Sequence, residues 1–214
     1  MEKRILCFGD SNTFGFDATT GQRFGPGVRW TSLVQQMLGE GWTVIEEGLG
    51  GRTATMEDPI KEGLKGIDYF VPCLDSHKPL DVVVIMLGTN DAKERFSLTP
   101  RDMALCTMRL AQKIRFSGAG RAGKDPQVLL VSPPPVREGY EEKETFHSLG
   151  AGAVEKTTAY PKWLKEFAPQ GGFAFVEAGA YLSMGEEDCM HLDEKGHEVL
   201  AHVLEEKIKE LVKS

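Results

Sequence analysis

Asp81-Val82-Val83-Val84-Ile85-Met86-Leu87, followed at once by Gly88-Thr89-Asn90-Asp91, decides the fold. The run is apolar without alternation. A strand with one face in water alternates apolar and polar side chains, whereas a strand covered on both faces does not. This one therefore reads as a central strand of a parallel sheet. Working outward, residues 4–9, 43–47, 127–132 and 173–177 read as four further strands. Helical patterns lie between them. Residues 30–38 present Leu33, Val34, Met37 and Leu38 and stop at Gly39. Thr99-Pro100-Arg101-Asp102 is a helix start, with threonine as cap, proline in the first turn and an acid three residues on. That helix is expected to run through Met103, Leu105, Cys106, Leu110, Ile114 and Phe116 to near Gly118. A further helix covers about residues 151–167, with Pro161 expected to start, kink or split it. The last spans about 194–212, capped by Asp193, with Val199, Leu200, Val203, Leu204, Ile208 and Leu211 as its stripe. Strand–helix alternation with short connections predicts an α/β protein: a doubly wound, five-stranded parallel sheet between two helical layers, one domain over residues 1–214. Two loops stand out, residues 15–27 and 54–79. The second carries a helix-like apolar piece at residues 67–74, and long connections of this kind serve as lids or oligomer contacts.

Composition narrows the function classes. The chain has 214 residues, with 41% hydrophobic and 27% charged residues, the make-up of a soluble globular protein. A net charge of -7 argues against nucleic acid or an anionic membrane surface as partner. The four cysteines, Cys7, Cys73, Cys106 and Cys189, show neither paired nor metal-ligand spacing, which fits reduced thiols in the cytoplasm. Met1-Glu2-Lys3-Arg4 leads straight into the first strand without the apolar segment of a secretory signal, and no stretch is long and apolar enough to cross a bilayer.

The polar residues cluster after the strands. Gly9-Asp10-Ser11 follows the first, Gly48-Leu49-Gly50-Gly51-Arg52-Thr53 the second, Gly88-Thr89-Asn90-Asp91 the third and Ser132-Pro133-Pro134-Pro135 the fourth. Asp188-Cys189-Met190-His191 comes a short loop beyond the fifth. In a parallel sheet all of them reach one carboxyl edge, where open α/β proteins bind ligands. A serine hydroxyl needs a base and an anion-stabilising pocket to act as nucleophile. Ser11 is the candidate nucleophile, although a serine there could equally cap the following helix. Asp188, three residues before His191, can bond its Nδ1–H in a tight turn and leave Nε2 free to take a proton from Ser11. As plain loop polarity the pair would mean nothing. Asn90 could close an Asx turn or donate its amide to an oxyanion, with the Gly51 and Ser11 N–H groups as further donors. Arg52 reads as a structural salt bridge before an anion-binding group. His197 and His202 fall inside the last helix, and His77 and His147 in loops without an ordered acid partner in sequence.

Together the four blocks resemble the SGNH (GDSL-type) hydrolase family, whose Ser, Gly, Asn and His match Ser11, Gly51, Asn90 and His191. The resemblance spans nearly the whole chain. Residues 3–11, 28–31, 44–49, 85–91 and 131–135 are similar to the arylesterase/acyltransferase branch. That resemblance implies a flavodoxin-like three-layer α/β/α sandwich, no metal or organic cofactor, and Asp188 orienting His191. It also implies action on small acyl and aryl esters, with acyl transfer to alcohols in some members, and homo-oligomers built on loop insertions. This chain departs from the branch in having Asn12 in place of a leucine, Phe14 and Phe16 in place of tryptophans, and Gly50-Gly51 in place of a Ser-Ala-like pair. None of these is expected to touch the chemistry. The reading is a serine-dependent carboxylic-ester hydrolase, with Ser11, Asp188 and His191 catalytic and the N–H groups of Ser11 and Gly51 and the Asn90 amide as oxyanion donors. Phe14, Phe16, Phe24 and Phe96 are expected to form an apolar wall. The nearest alternative is a carbohydrate O-deacetylase of the acetylxylan esterase kind. Thioesterase or lysophospholipase activity lacks an evident apolar groove. A non-catalytic nucleotide- or flavin-binding module lacks a P-loop or GxGxxG fingerprint.

Overall fold

The computed structural model describes residues 2–213. Five parallel strands form the main sheet: β1 (Lys3–Gly9), β2 (Trp42–Gly48), β3 (Val82–Met86), β4 (Gln127–Ser132) and β5 (Ala174–Glu177), in the order β2-β1-β3-β4-β5. Among the described residues the α-helices are α1 (Ser11–Phe14), α2 (Trp30–Leu38), α3 (Gly66–His77), α4 (Pro100–Ala111), α5 (Thr145–Leu149), α6 (Ala153–Phe167) and α7 (Glu194–Lys213). A two-residue ribbon pairs Phe16–Asp17 with Gln22–Arg23.

Successive side chains of the central strands point to opposite layers, which explains their unbroken hydrophobicity. Leu6, Phe8, Val83, Ile85 and Leu130 pack with Phe70, Cys73 and Leu74 of α3, Met103 and Leu110 of α4, and Tyr160 and Leu164 of α6. Ile5, Cys7, Val82, Val84, Leu129 and Val131 pack with Trp30 and Val34 of α2 and Leu200, Leu204 and Ile208 of α7. The edge strands β2 and β5 are half-buried along their whole length.

Several boundaries differ from the sequence reading. The strand expected at 81–87 is confined to Val82–Met86. Helix α4 has its capping box at Thr99 and Asp102 but ends at Ala111, in a 3₁₀ turn over Gln112–Ile114. Leu105 and Phe116, expected in its apolar stripe, are exposed. Helix α6 begins at Ala153 and runs through Pro161, which is buried inside it. Asp193 caps α7, accepting the Gly196 N–H at 2.7 Å.

The strand order places a topological switch at β1 and β3: the chain leaves β1 for β2 on one side and returns to β3 on the other. The crevice outside the carboxyl ends at such a point is the usual ligand site of open α/β sheets. Two glycines let the segment after β1 sit tightly there. A Cβ at Gly9 would lie 2.1 Å from Thr13 Oγ1, and one at Gly48 would lie 2.1 Å from the Phe14 nitrogen. Any side chain at either position would push α1 off the sheet.

Candidate active site

Asp10, rather than Ser11, caps α1: its Oδ1 accepts the Asn12 N–H at 3.0 Å. Ser11 is therefore the first helical residue, and its hydroxyl is not needed for capping. Ser11 Oγ lies 2.8 Å from His191 Nε2. On the far side of the ring, His191 Nδ1 lies 2.5 Å from Asp188 Oδ2. Both nitrogens of one imidazole are thus engaged, one by a carboxylate and one by a hydroxyl, and His191 is buried.

Asp188 reaches back across its own turn because Cys189 adopts a left-handed backbone, with φ 64. Its Oδ1 accepts the N–H groups of Met190 and His191 at 3.0 and 2.9 Å. Burial works against its ionised form, but the bond from His191 and these main-chain donors outweigh it and hold the carboxyl below the usual range. A charged Asp188 fixes the proton of neutral His191 on Nδ1, which leaves Nε2 as the acceptor facing Ser11.

Asn90 begins the 3₁₀ turn after β3 and is buried. Its Nδ2 donates to Asp10 Oδ2 at 3.4 Å. An amide carries two hydrogens, so a second is free. Among the described residues, neither the Ser11 N–H nor the Gly51 N–H meets an acceptor. Gly51 has φ 85, a conformation that side chains rarely tolerate.

The loops carrying these donors are tied together by contacts between segments remote in sequence. Arg52, expected in a salt bridge, instead donates to the carbonyls of Gly9 and Glu47 and lies 4.1 Å over the Phe8 ring. It thereby joins the Gly51 loop to the end of β1. Asp91 takes the Ala54 N–H with both oxygens, at 3.0 and 3.2 Å. Farther along, Asp58 is bound by Lys93 at 2.9 Å and by Arg95 at 2.9 and 3.2 Å. Burial opposes the Asp58 charge, yet Arg95 and Lys93 keep its carboxyl well below the ordinary value. The long segment after β2 is therefore pinned at two points against the segment after β3. Burial raises Asp10 to about 6 and Asp91 to about 7, each only partly offset by hydrogen bonds.

The four phenylalanines part company. The Phe16 ring lies 4.6 Å from that of His191. Phe24 lines a cleft of about 290 Å³ that also borders His191, together with Asp17, Thr19, Glu186, Glu187 and Asp193. Phe14 is covered by Arg23, at 4.7 Å, and Phe96 lies beneath Lys93 and Arg95. Of the other histidines, His197 is fully buried, its Nδ1 accepts the Trp30 N–H at 3.3 Å, and burial lowers it to about 4. His77 has an acid partner that sequence proximity did not reveal, Glu47 at 2.7 Å. With Cys73 these two make a group of ligand-type atoms within 4.8 Å of one another. The hydrogen bond between His77 and Glu47 accounts for their meeting.

A model of the GDSL-like Lipase/Acylhydrolase family matches residues 7–199. The chain belongs to this family. It is a carboxylic-ester hydrolase of SGNH fold. Solved structures agree. The inhibitor-bound M. smegmatis aryl esterase is 38% identical, with TM-score 0.92, over 98% of this chain and 99% of that one. Est24, a carbohydrate acetylesterase from Sinorhizobium meliloti, is 33% identical, with TM-score 0.91, over 98% and 100%. No curated protein sequence gives a significant match. Among the described residues no helix is long and apolar enough to cross a membrane.

Proposed function

We propose that this chain hydrolyses small aryl and acyl esters through an acyl-enzyme on Ser11. The observation that carries the reading is the unbroken line from Asp188 Oδ2 through the His191 ring to Ser11 Oγ, at 2.5 and 2.8 Å. His191 Nε2 takes the hydroxyl proton as Ser11 Oγ attacks the ester carbonyl. Asp188 holds the ring and stabilises the imidazolium that forms. The free N–H groups of Ser11 and Gly51 and the second hydrogen of the Asn90 amide receive the oxyanion, which develops only as the tetrahedral species forms. His191 then gives its proton to the departing alkoxide. A water molecule, activated in the same way, releases the acid, and an alcohol in its place would give acyl transfer.

Phe16 and Phe24 supply an apolar surface beside His191, which supports an aryl leaving group, as does the likeness to the M. smegmatis aryl esterase. The alternative, a carbohydrate acetylester, is favoured by the polar cleft lining of Asp17, Thr19, Glu186, Glu187 and Asp193 and by the likeness to Est24. Comparing kcat/KM for phenyl acetate, p-nitrophenyl acetate and a series of acetylated sugars separates them. A preference for the aryl acetates supports the first reading, and a preference for the sugars replaces it with the second. One domain over residues 1–214, a cytoplasmic setting and homo-oligomeric assembly complete the proposal. Four free cysteines support the setting, and the exposed Ile60, Tyr69 and Val71 along the segment after β2 support the assembly.

A further inference from the structure

We propose that Asn12 is a positioning residue that sets the His191 segment in register with Ser11; this rests on the acyl-enzyme reading above. Asn12 follows Ser11 directly, and its side chain is buried against the main chain on both sides of His191. Its Nδ2 donates to the Met190 carbonyl at 3.2 Å, and its Oδ1 accepts the Leu192 N–H at 2.9 Å. The amide can sit only this way round, because a carbonyl needs a donor and an N–H needs an acceptor.

Asn12 is itself immobilised. Its N–H is held by Asp10 Oδ1 at 3.0 Å, and its carbonyl accepts Nε1–H of the fully buried Trp30 at 3.1 Å. The clamp thus joins one fixed backbone to another.

The segment needs such a partner. Asp188 Oδ1 takes the N–H groups of Met190 and His191, the His191 carbonyl accepts from Gly185 at 2.7 Å, and the Cys189 carbonyl accepts from Arg137 at 2.9 Å. The Met190 carbonyl and the Leu192 N–H, on either side of His191, have Asn12 as their partner. Without it two backbone groups in a buried setting lose their partners. Asp188 shapes the turn from within and does not relate it to Ser11. Among the described residues, the hydrogen bonds joining residues 9–15 to residues 188–193 are those of Ser11 and Asn12. The Ser11–His191 bond must exchange partners during turnover, so the Asn12 pair keeps the two segments aligned while it does.

Asn12→Leu, of similar volume and without polar side-chain atoms, is the test, with Asn12→Asp as a second variant that keeps the acceptor and loses the donor. For both, kcat toward p-nitrophenyl acetate is expected to fall about tenfold to a hundredfold, as displaced catalytic groups do. KM is expected to stay within about twofold, and the rate at which a fluorophosphonate labels Ser11 should fall in parallel. Amide hydrogen exchange gives a readout that general loosening of the fold would not: the Leu192 N–H should be protected in the unaltered protein and exposed in Asn12→Leu, with α7 unchanged. Folded variants with unchanged kcat and labelling rate would overturn the proposal. So would a Leu192 amide that exchanges freely in the unaltered protein, a result that needs no variant to fold. Ser11→Ala separates the two layers. If it retains activity the acyl-enzyme reading fails, whereas loss of activity there with none in the Asn12 variants sinks the clamp alone.

Discussion

His191 Nε2 lies 2.8 Å from Ser11 Oγ although 180 residues separate them in sequence. Strand β1 delivers the serine, and the turn before α7 delivers the histidine. Asp188 fixes which imidazole nitrogen is free to face the hydroxyl. Asp188→Asn removes the charge and lets the ring take the wrong tautomer. Its kcat toward p-nitrophenyl acetate should fall by about 10³–10⁴-fold, with the protein still folded. Steady-state kinetics beside circular dichroism checks this, and a kcat within about threefold of the unaltered protein would remove Asp188 from the mechanism.

Asn90 is assigned a bond that matters only once the oxyanion exists. Asn90→Ala should lower kcat by about 10²–10³-fold and leave KM nearly unchanged. A change confined to KM, measured with the same ester, would mean that the amide binds the ground state.

The Phe16 ring lies tilted against that of His191, with centroids 4.6 Å apart. Phe16→Ala should raise KM for phenyl acetate by about threefold to tenfold, the scale of one lost aromatic contact. KM for methyl acetate should change less. Equal effects on both esters would show that Phe16 supports the His191 ring rather than the leaving group.

Asp91 ties the turn holding Asn90 to the segment after Gly51 through the Ala54 N–H. Burial raises its pKa from 3.8 to about 7. Between those values the folded chain holds a proton that the unfolded chain has released, so this group's contribution to stability falls as pH rises through the window. Thermal unfolding followed from pH 4 to pH 7 should show a decline that Asp91→Asn lessens. Parallel curves for the two proteins would show that Asp91 does not titrate there.

That Ser11 meets His191, with the Asn90 turn bonded to Asp10 beside them, was legible because a parallel sheet sends every strand's carboxyl end the same way. Val82–Met86 announced such a sheet by being apolar on both faces. The ties between loops were not legible. Asn12 looked like a neutral departure from leucine, since nothing local indicates that its amide meets a backbone 178 residues away. Asp10 and Ser11 both suit a helix cap, and only the fold decides that the acid takes it. Arg52 reads as seeking a carboxylate, but its guanidinium lies over Phe8 and donates to main-chain carbonyls. Pro161 sits buried within α6, where tertiary burial outweighs its local cost.

The nucleophile is tested most directly by mass spectrometry of the intact protein after treatment with a fluorophosphonate, followed by peptide mapping, on the unaltered chain and on Ser11→Ala. One adduct per chain, mapped to Ser11 and absent from the variant, together with loss of p-nitrophenyl acetate turnover in the variant, is the predicted result. An adduct on another residue, or full turnover by Ser11→Ala, would contradict it.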